Sequence, residues 1–200
     1  MFKYVGDISE ISHHIINNFL ENKNVAIDGT LGNGYDTDFL SEHFNKVYSF
    51  DVQKIACDNY IGKNKENVNV INDSHHKFKE YIDEGVDCIM YNLGFLPGGD
   101  KSVTTMHETS LESIKEGLQL LNNGGIMTIC IYRGHNEGKK EESCILDYVV
   151  SLPKNKFGVM EHSFLNRSEV APMLLVIEKK WLKYVKNEWS LLKVFQLFVD

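Results

Sequence analysis

Two hydrophobic periods alternate along the chain. Short apolar runs occur at Val25-Ala-Ile27, Lys46-Val-Tyr-Ser-Phe50, Val68-Asn-Val-Ile71, Gly85 to Leu93 and Ile126 to Tyr132. They are too short and too continuous for amphipathic helices and suit buried parallel strands. Helical spacing separates them. Ile8, Ile11, Ile15, Ile16, Phe19 and Leu20 predict a helix over 8–21 that Asp7 can cap. Further helices are expected from Asp36 to about Phe44, from Gln53 to Lys63 and around Phe78 and Tyr81. A long one runs from Thr104 to Leu121, with Asn122-Asn-Gly-Gly125 as its C-cap, and another from Glu141 to Leu152, stopped by Pro153. Phe157 to Leu165 and Pro172 to Lys179 read as strands with no helix between them, so they should pair antiparallel. The pattern predicts an α/β fold: a doubly wound, mostly parallel Rossmann-like sheet closed by a C-terminal antiparallel hairpin, one domain over residues 1–180. Residues 181–200 form a weakly helical tail rich in Trp181, Trp189, Leu192, Phe195 and Phe198. Packing or self-association into a homodimer is the reading it supports.

Composition narrows the classes. A chain of 200 residues that is 42% hydrophobic and 24% charged can build a real core. Its formal charge of −7 opposes general nucleic-acid attraction while allowing a local basic face. No stretch reaches the roughly 18 apolar residues of a membrane span. Cys57, Cys88, Cys130 and Cys144 lie far apart, and Cys88 and Cys130 sit in apolar runs. That is a reduced, cytoplasmic pattern without a zinc or other metal site.

The chemistry centres on Val25 to Thr37. A strand ending at Asp28 meets Gly29, Gly32 and Gly34, which let the backbone turn and approach a ligand, and Asp36 or Thr37 can cap the helix that follows. This makes a crevice at the carboxyl end of a strand, where open α/β sheets bind ligands. The dinucleotide pattern G-x-G-x-x-G fails at Thr37. An acid, three residues and then Gly32-Asn33-Gly34 instead suits S-adenosylmethionine (SAM), whose sulfonium and ammonium call for the oxygens of Asp28, Asn33 and Asp36. NAD and a ligand-free turn stay open on the loop alone. Asp51 closes the second strand at close to the roughly 20-residue spacing at which a carboxylate grips a ribose. It could equally start the next helix. Asp73, Ser74 and His75 follow the third strand, placed either for an adenine edge or as a capping turn. The fourth strand ends at Asn92 and enters Gly94-Phe-Leu-Pro-Gly-Gly-Asp-Lys101, a shaped loop that a plain connection would not need. Arg133-Gly-His-Asn-Glu-Gly138 follows the fifth strand at the same sheet edge. His13 and His14 read as surface or partly packed histidines.

Asp28-Gly-Thr-x-Gly-Asn-Gly-x-Asp-Thr37, Phe50-Asp-Val-Gln53, Ser74-His75, Asn92 to Lys101, and Tyr132-x-Gly-His135 with Gly138-Lys139-x-Glu141 occur together here. The chain thereby resembles, from residue 1 to Lys179, a bacterial family of small SAM-dependent enzymes long labelled putative rRNA methylases, which methylate the 5-aminomethyl group of the tRNA wobble (2-thio)uridine. The resemblance implies the class I methyltransferase fold, SAM as cofactor, tRNA as partner, and SAM contacts at Asn33, Asp36, Asp51, Gln53, Ser74 and His75. The hairpin departs from the family pattern at Asn166-Arg167-Ser168 and Ala171-Pro172.

The residues also argue for amine methylation directly. Asn92-Leu-Gly-Phe95 is similar to the Asn-Pro-Pro-Tyr/Phe motif of amine methylases, with Leu-Gly for Pro-Pro. There an amide oxygen orients the amine and an aromatic ring covers it. An alkyl amine must first lose a proton, to Asp28, His75 or water. Pro97, Gly98 and Gly99 would shape the acceptor pocket with Phe95. Lys101, Arg133, Lys139, Lys140 and Arg167 would offer phosphate contacts beside that pocket or else be solvated surface charges, His135 is a further substrate-binding candidate, and Phe95 or Tyr132 could stack on a flipped base. An rRNA or small-metabolite methyltransferase is the alternative.

Overall fold

A computed structural model describes residues 2–96, 98–99 and 103–181. Strands β1 (Val25–Asp28), β2 (Lys46–Phe50), β3 (Val68–Ile71), β4 (Val86–Leu93), β5 (Leu121–Ile131), β6 (Phe157–His162) and β7 (Met173–Lys179) form one sheet in the order β3-β2-β1-β4-β5-β7-β6. The first five are parallel, and β7 pairs antiparallel with both β5 and β6. The predicted doubly wound sheet and its closing hairpin are both present.

Side-chain alternation sorts the helices into two layers. Val25, Ile27, Ile89 and Tyr91 face one way and pack with Phe78, Ile114 and Ile145. These come from α4 (Phe78–Tyr81), α5 (His107–Leu120) and α6 (Asn136–Val150). Ala26, Val47, Cys88 and Met90 face the other way, against Ile16 of α1 (Ile8–Phe19) and Leu40 of α2 (Tyr35–His43). On that same side Tyr60 of α3 (Lys54–Ile61) packs with Leu31. Asp28 and Asn92 belong to this second alternation, so both side chains emerge toward α1 and α2.

Element ends moved where local chemistry outweighed periodicity. Asp7 caps α1 as expected, accepting from Ser9 N at 2.8 Å. Neither Asp36 nor Thr37 caps α2. Gly34, at φ +82°, holds that position, and both residues lie inside the first turn with buried side chains. Gln53 precedes α3, so Asp51 is not its cap. Asn122 to Gly125 do not end α5. They belong to β5, whose register against β4 slips between Val86 and Cys88, with Gly124 at φ +80°. The irregularity is held by Asn122, which donates to the Asp87 carboxylate at 2.8 Å. α6 starts at Asn136 because His135 Nδ1 accepts from Gly138 N at 2.7 Å.

Candidate active site

The loop after β1 is fixed from beneath. Asp28 is fully buried; one oxygen accepts from Thr30 N at 2.9 Å and the other from the Thr37 hydroxyl, itself bonded to Ser49. Burial first, then the nearby Asp36 charge, push the Asp28 carboxyl up to about 7. The glycines are there for space. A Cβ on Gly29 would stand 2.6 Å from the Tyr91 ring, and one on Gly34 2.4 Å from the Tyr60 ring. Above this loop a cavity of about 780 Å³ opens at the carboxyl ends of β1, β2 and β4, lined by Gly32, Asn33 and Asp36. Asp28, Gly34 and Thr37 are not on its wall. Their expected direct role is corrected: they hold the loop, and Asp28 does not reach a substrate as proton acceptor.

The second wall comes from β2 and β3. Asp51 accepts from Gly32 N and from Gln53 N at 2.9 and 2.8 Å, and burial raises its carboxyl above the usual range. It faces the cavity beside Gln53, where a ribose carboxylate belongs. Asp73 lines the same wall, but one oxygen already accepts from Tyr81 and Lys77 and the other from Ser74 N. It organises the turn into α4 more than it offers a free edge. His75 lines the same wall but offers little of its ring to the cavity. Its ring is buried, Nδ1–H donates to Gly29 O at 2.9 Å, and burial pulls it down to about 4. A ring that stays neutral so far below pH 7 is a poor general base, so His75 is removed as a proton acceptor. Its Nε2 is buried without a hydrogen-bond partner.

The end of β4 supplies the reactive edge. Thr30 Oγ1 accepts from Asn92 N at 2.7 Å. The Asn92 amide nitrogen donates to Asp36 Oδ2, which fixes the amide orientation, since only nitrogen can donate to a carboxylate. Asn92 Oδ1 is thereby turned away from Asp36, buried and without a hydrogen-bond partner. Asp36 Oδ1 accepts from Ser9 Oγ at 3.0 Å and contacts His13 Nε2 at 2.7 Å. Asp7, Ser9 and His13 of the α1 region were not singled out in the sequence as site residues. The spacing of Ser9 and His13, one turn apart on α1, was the available signal.

The remaining candidates divide. Phe95, bridged to Thr104, and Tyr132 line the cavity and are partly exposed. His135 lies off the wall as the α6 cap, with Nε2 at 3.0 Å from Thr104 Oγ1 and its ring 5.7 Å from Phe95. Arg133 is also off it, donating to Ala171 O at 2.9 Å and to Glu142 at 2.7 Å. Its guanidinium serves the fold before any phosphate. Arg167 sits 3.6 Å over the Phe164 ring and donates to Val5 O. Lys139 is exposed on the first turn of α6, while Lys140 pairs with Glu137. Gly98 holds φ +82° in open space. Pro97 and Lys101, like residues 182–200, lie outside the described residues.

Buried acceptors at His75 and Asn92, acidic groups at Asp36 and Asp51, and a glycine cradle fit a ligand with a cationic amino-acid end and a ribose. Fold and site together define a class I SAM-dependent methyltransferase. A family model described as "Putative rRNA methylase" matches residues 47–178, and the chain belongs to that family. A Clostridium thermocellum structure titled a putative rRNA-methylase is similar at 34% identity and TM-score 0.83, over 88% of this chain and 98% of that one. A Streptococcus mutans structure titled a putative methyltransferase, in complex with S-adenosylhomocysteine, is 38% identical with TM-score 0.79, over 90% and 99%. An Arabidopsis thaliana protein named chloroplastic tRNA (mnm(5)s(2)U34)-methyltransferase is 30% identical over 190 residues, covering 86% of this chain and 69% of that one. The protein is a methyltransferase with SAM as its cofactor. Among the described residues no helix is long and apolar enough to cross a membrane.

Proposed function

We propose that this enzyme methylates the nitrogen of the 5-aminomethyl group on the wobble (2-thio)uridine of tRNA. The observation that carries the reading is the Asn92 amide: oriented by Asp36, with a buried Oδ1 that lacks a hydrogen-bond partner at the cavity edge. An orphan acceptor of this kind costs about 1–3 kcal/mol unless a ligand satisfies it, and an amine N–H does so. Phe95 and Tyr132 at the mouth offer rings against which an extruded base can stack. The name of the Arabidopsis relative supports the same acceptor.

When bound, SAM supplies a methyl carbon made electrophilic by the sulfonium. The protein contributes placement: Asn92 Oδ1 takes one N–H of the amine so that the nitrogen lone pair is directed rather than tumbling, and Phe95 excludes water over it. Geometry of this sort is where most of the rate comes from, and about 1 Å of misplacement costs on the order of 10²-fold. The test is nucleoside mass spectrometry of tRNA from cells with and without the gene, joined to turnover of Asn92→Ala. Methylaminomethyl-uridine should vanish without the gene. Asn92→Ala should lose about 10²–10³-fold in turnover while SAM affinity changes far less. The family description and the net charge of −7 make rRNA or a small amine the competing acceptors. Unchanged wobble nucleosides, or a collapse of SAM binding with turnover preserved at saturating SAM, would refute the proposal.

A further inference from the structure

We propose that Asp36 and His13 form the exit path for the proton that the acceptor amine must lose, with Asp36 receiving it and His13 passing it to solvent. The inference rests on the amine acceptor proposed above. It starts from a geometric fact: the carboxylate that orients Asn92 leads away from the cavity on its other oxygen. Asp36 is 4% exposed and lines the cavity, whereas the His13 side chain is 24% exposed. The two are 2.7 Å apart. The His13 ring is held flat on Phe39, with centroids 4.0 Å apart and planes within 5°, so it keeps its nitrogen on Asp36.

The alternatives at the sheet edge are closed. Asp28 is behind the loop and off the cavity wall on which Asp36 lies, and the buried His75 is held neutral by its surroundings. Asp51 sits at the far, β2 side of the cavity, bonded to Gly32 and Gln53. The titratable groups facing the pair are Asp28 of β1, Cys88 of β4, Cys130 of β5 with Tyr132 beyond it, and Asp7, Glu10 and His14 on or beside α1. His43 of α2 lies behind Phe39.

The ammonium N–H bond breaks and its proton goes to an Asp36 oxygen. The freed lone pair forms the N–C bond as the C–S bond breaks, and the sulfur leaves with the electron pair as neutral S-adenosylhomocysteine. The product nitrogen keeps its remaining protons as a secondary ammonium. At rest the Nε2–H of His13 donates to the Asp36 carboxylate. Once the carboxyl is neutral, exchange with solvent moves the imidazole proton to Nδ1; the Nε2 lone pair then takes the carboxyl proton, and the imidazolium releases its Nδ1 proton to water, which returns the Nε2–H tautomer and the carboxylate. His13 touches neither substrate nor cofactor in this scheme and acts entirely through Asp36.

The test is single-turnover methylation of tRNA bearing 5-aminomethyl-2-thiouridine, at saturating enzyme and SAM, from pH ~6 to ~9. Wild type should rise and level off. His13→Gln, which keeps a polar partner for Asp36 but cannot relay, should be about 100-fold slower near neutrality, the low end of the general range for lost proton transfer. Its rate should climb tenfold per pH unit without a plateau, with SAM affinity within about threefold of wild type. In His13→Ala, added imidazole should restore rate in a saturable way, and substituted imidazoles should rank by basicity. A His13→Gln profile parallel to wild type, or rescue indifferent to imidazole basicity, would overturn the relay and leave the acceptor assignment standing. No methylation of this RNA by wild type would instead remove the acceptor assignment, and the relay with it.

Discussion

The two sides of the one cavity are built differently. On the proposed cofactor side, Asp28, Asp51 and Asp73 each accept from a backbone N–H, and rings stand where a Cβ on Gly29 or Gly34 would go. On the proposed acceptor side, Phe95 and Tyr132 are about a third exposed, and Thr104, bridged to Phe95, reaches across to His135. A cofactor of constant shape rewards a rigid cradle, since nothing has to adjust at binding. The proposed acceptor, a nucleotide delivered on a large RNA, needs an open mouth. The two sides should therefore fail differently when mutated.

The largest effect should come from the cradle. Gly29→Ala places a methyl 2.6 Å from Tyr91, whose hydroxyl is pinned to Ser113 at 2.8 Å inside the core. The ring cannot retreat, so the loop must. Overpacking of this kind costs about 1–3 kcal/mol, and the displaced loop should weaken SAM binding by more than about tenfold. Thermal denaturation with and without SAM, and calorimetric titration, would check both. An unchanged SAM affinity would mean the cradle yields more than its contacts suggest.

That rigidity is also why the cofactor side could be read from the chain. Glycines at Gly29, Gly32 and Gly34 and acids ending β1 and β2 are residue types that few other structural demands produce together, and strand order followed from the alternation of periods. What stayed illegible was depth. Asp28 and Asp36 are alike in sequence, yet one is sealed beneath the loop and the other lines the cavity, because β1 alternation and the first turn of α2 aim them differently. His75 lines the cavity beside Ser74, but the turn into α4 swings its ring inward onto Gly29 O, a depth the sequence did not show. Asn122 to Gly125 carry C-cap chemistry and were used for a strand irregularity instead, because Asp87 captures Asn122. Arg133 looked like a phosphate contact until Glu142 and Ala171 were seen to hold it. Each miss concerns which partner a side chain meets across the fold.

On the acceptor side, Phe95→Ala should raise KM for tRNA by about 5- to 30-fold, in keeping with ~1–3 kcal/mol per stacked base. SAM affinity should stay within about twofold. Steady-state kinetics with each substrate varied separately would show the split, and an equal change in both would merge the two sides into one unit. The cradle should also respond to pH. The folded-state value for Asp28 is raised to about 7 from an unfolded value near 3.8. The folded protein thus holds the extra proton between those values, and stability declines as pH rises through that window. Asp28→Asn can keep both bonds, accepting from Thr30 N and donating to Thr37 Oγ1, and carries no charge to bury. Urea midpoints between pH ~4.5 and ~8 should fall with rising pH in wild type, by on the order of 2 kcal/mol, and much less in the variant. The opposite slope would mean Asp28 is stabilised as a carboxylate.

The smallest effects separate two cations that the sequence treated alike. Lys139 is exposed at the start of α6, whereas Arg133 bridges Glu142 and the backbone before β7. A single phosphate contact in RNA binding is electrostatic and salt-dependent, and its loss should reduce the salt slope by about 0.7–0.9. Lys139→Ala should accordingly raise KM for tRNA about two- to fourfold at low salt, with the difference disappearing at high salt and thermal stability unchanged. Arg133→Ala should lower stability by about 1–3 kcal/mol, because it leaves Glu142 and Ala171 O without their donor, and any change in KM should persist at all salt concentrations. If Arg133→Ala instead reproduces the salt-sensitive behaviour and leaves stability intact, its contacts to Glu142 and Ala171 give way when RNA binds. The acceptor side would then be a surface that rearranges on docking, in sharper contrast with the fixed cradle opposite.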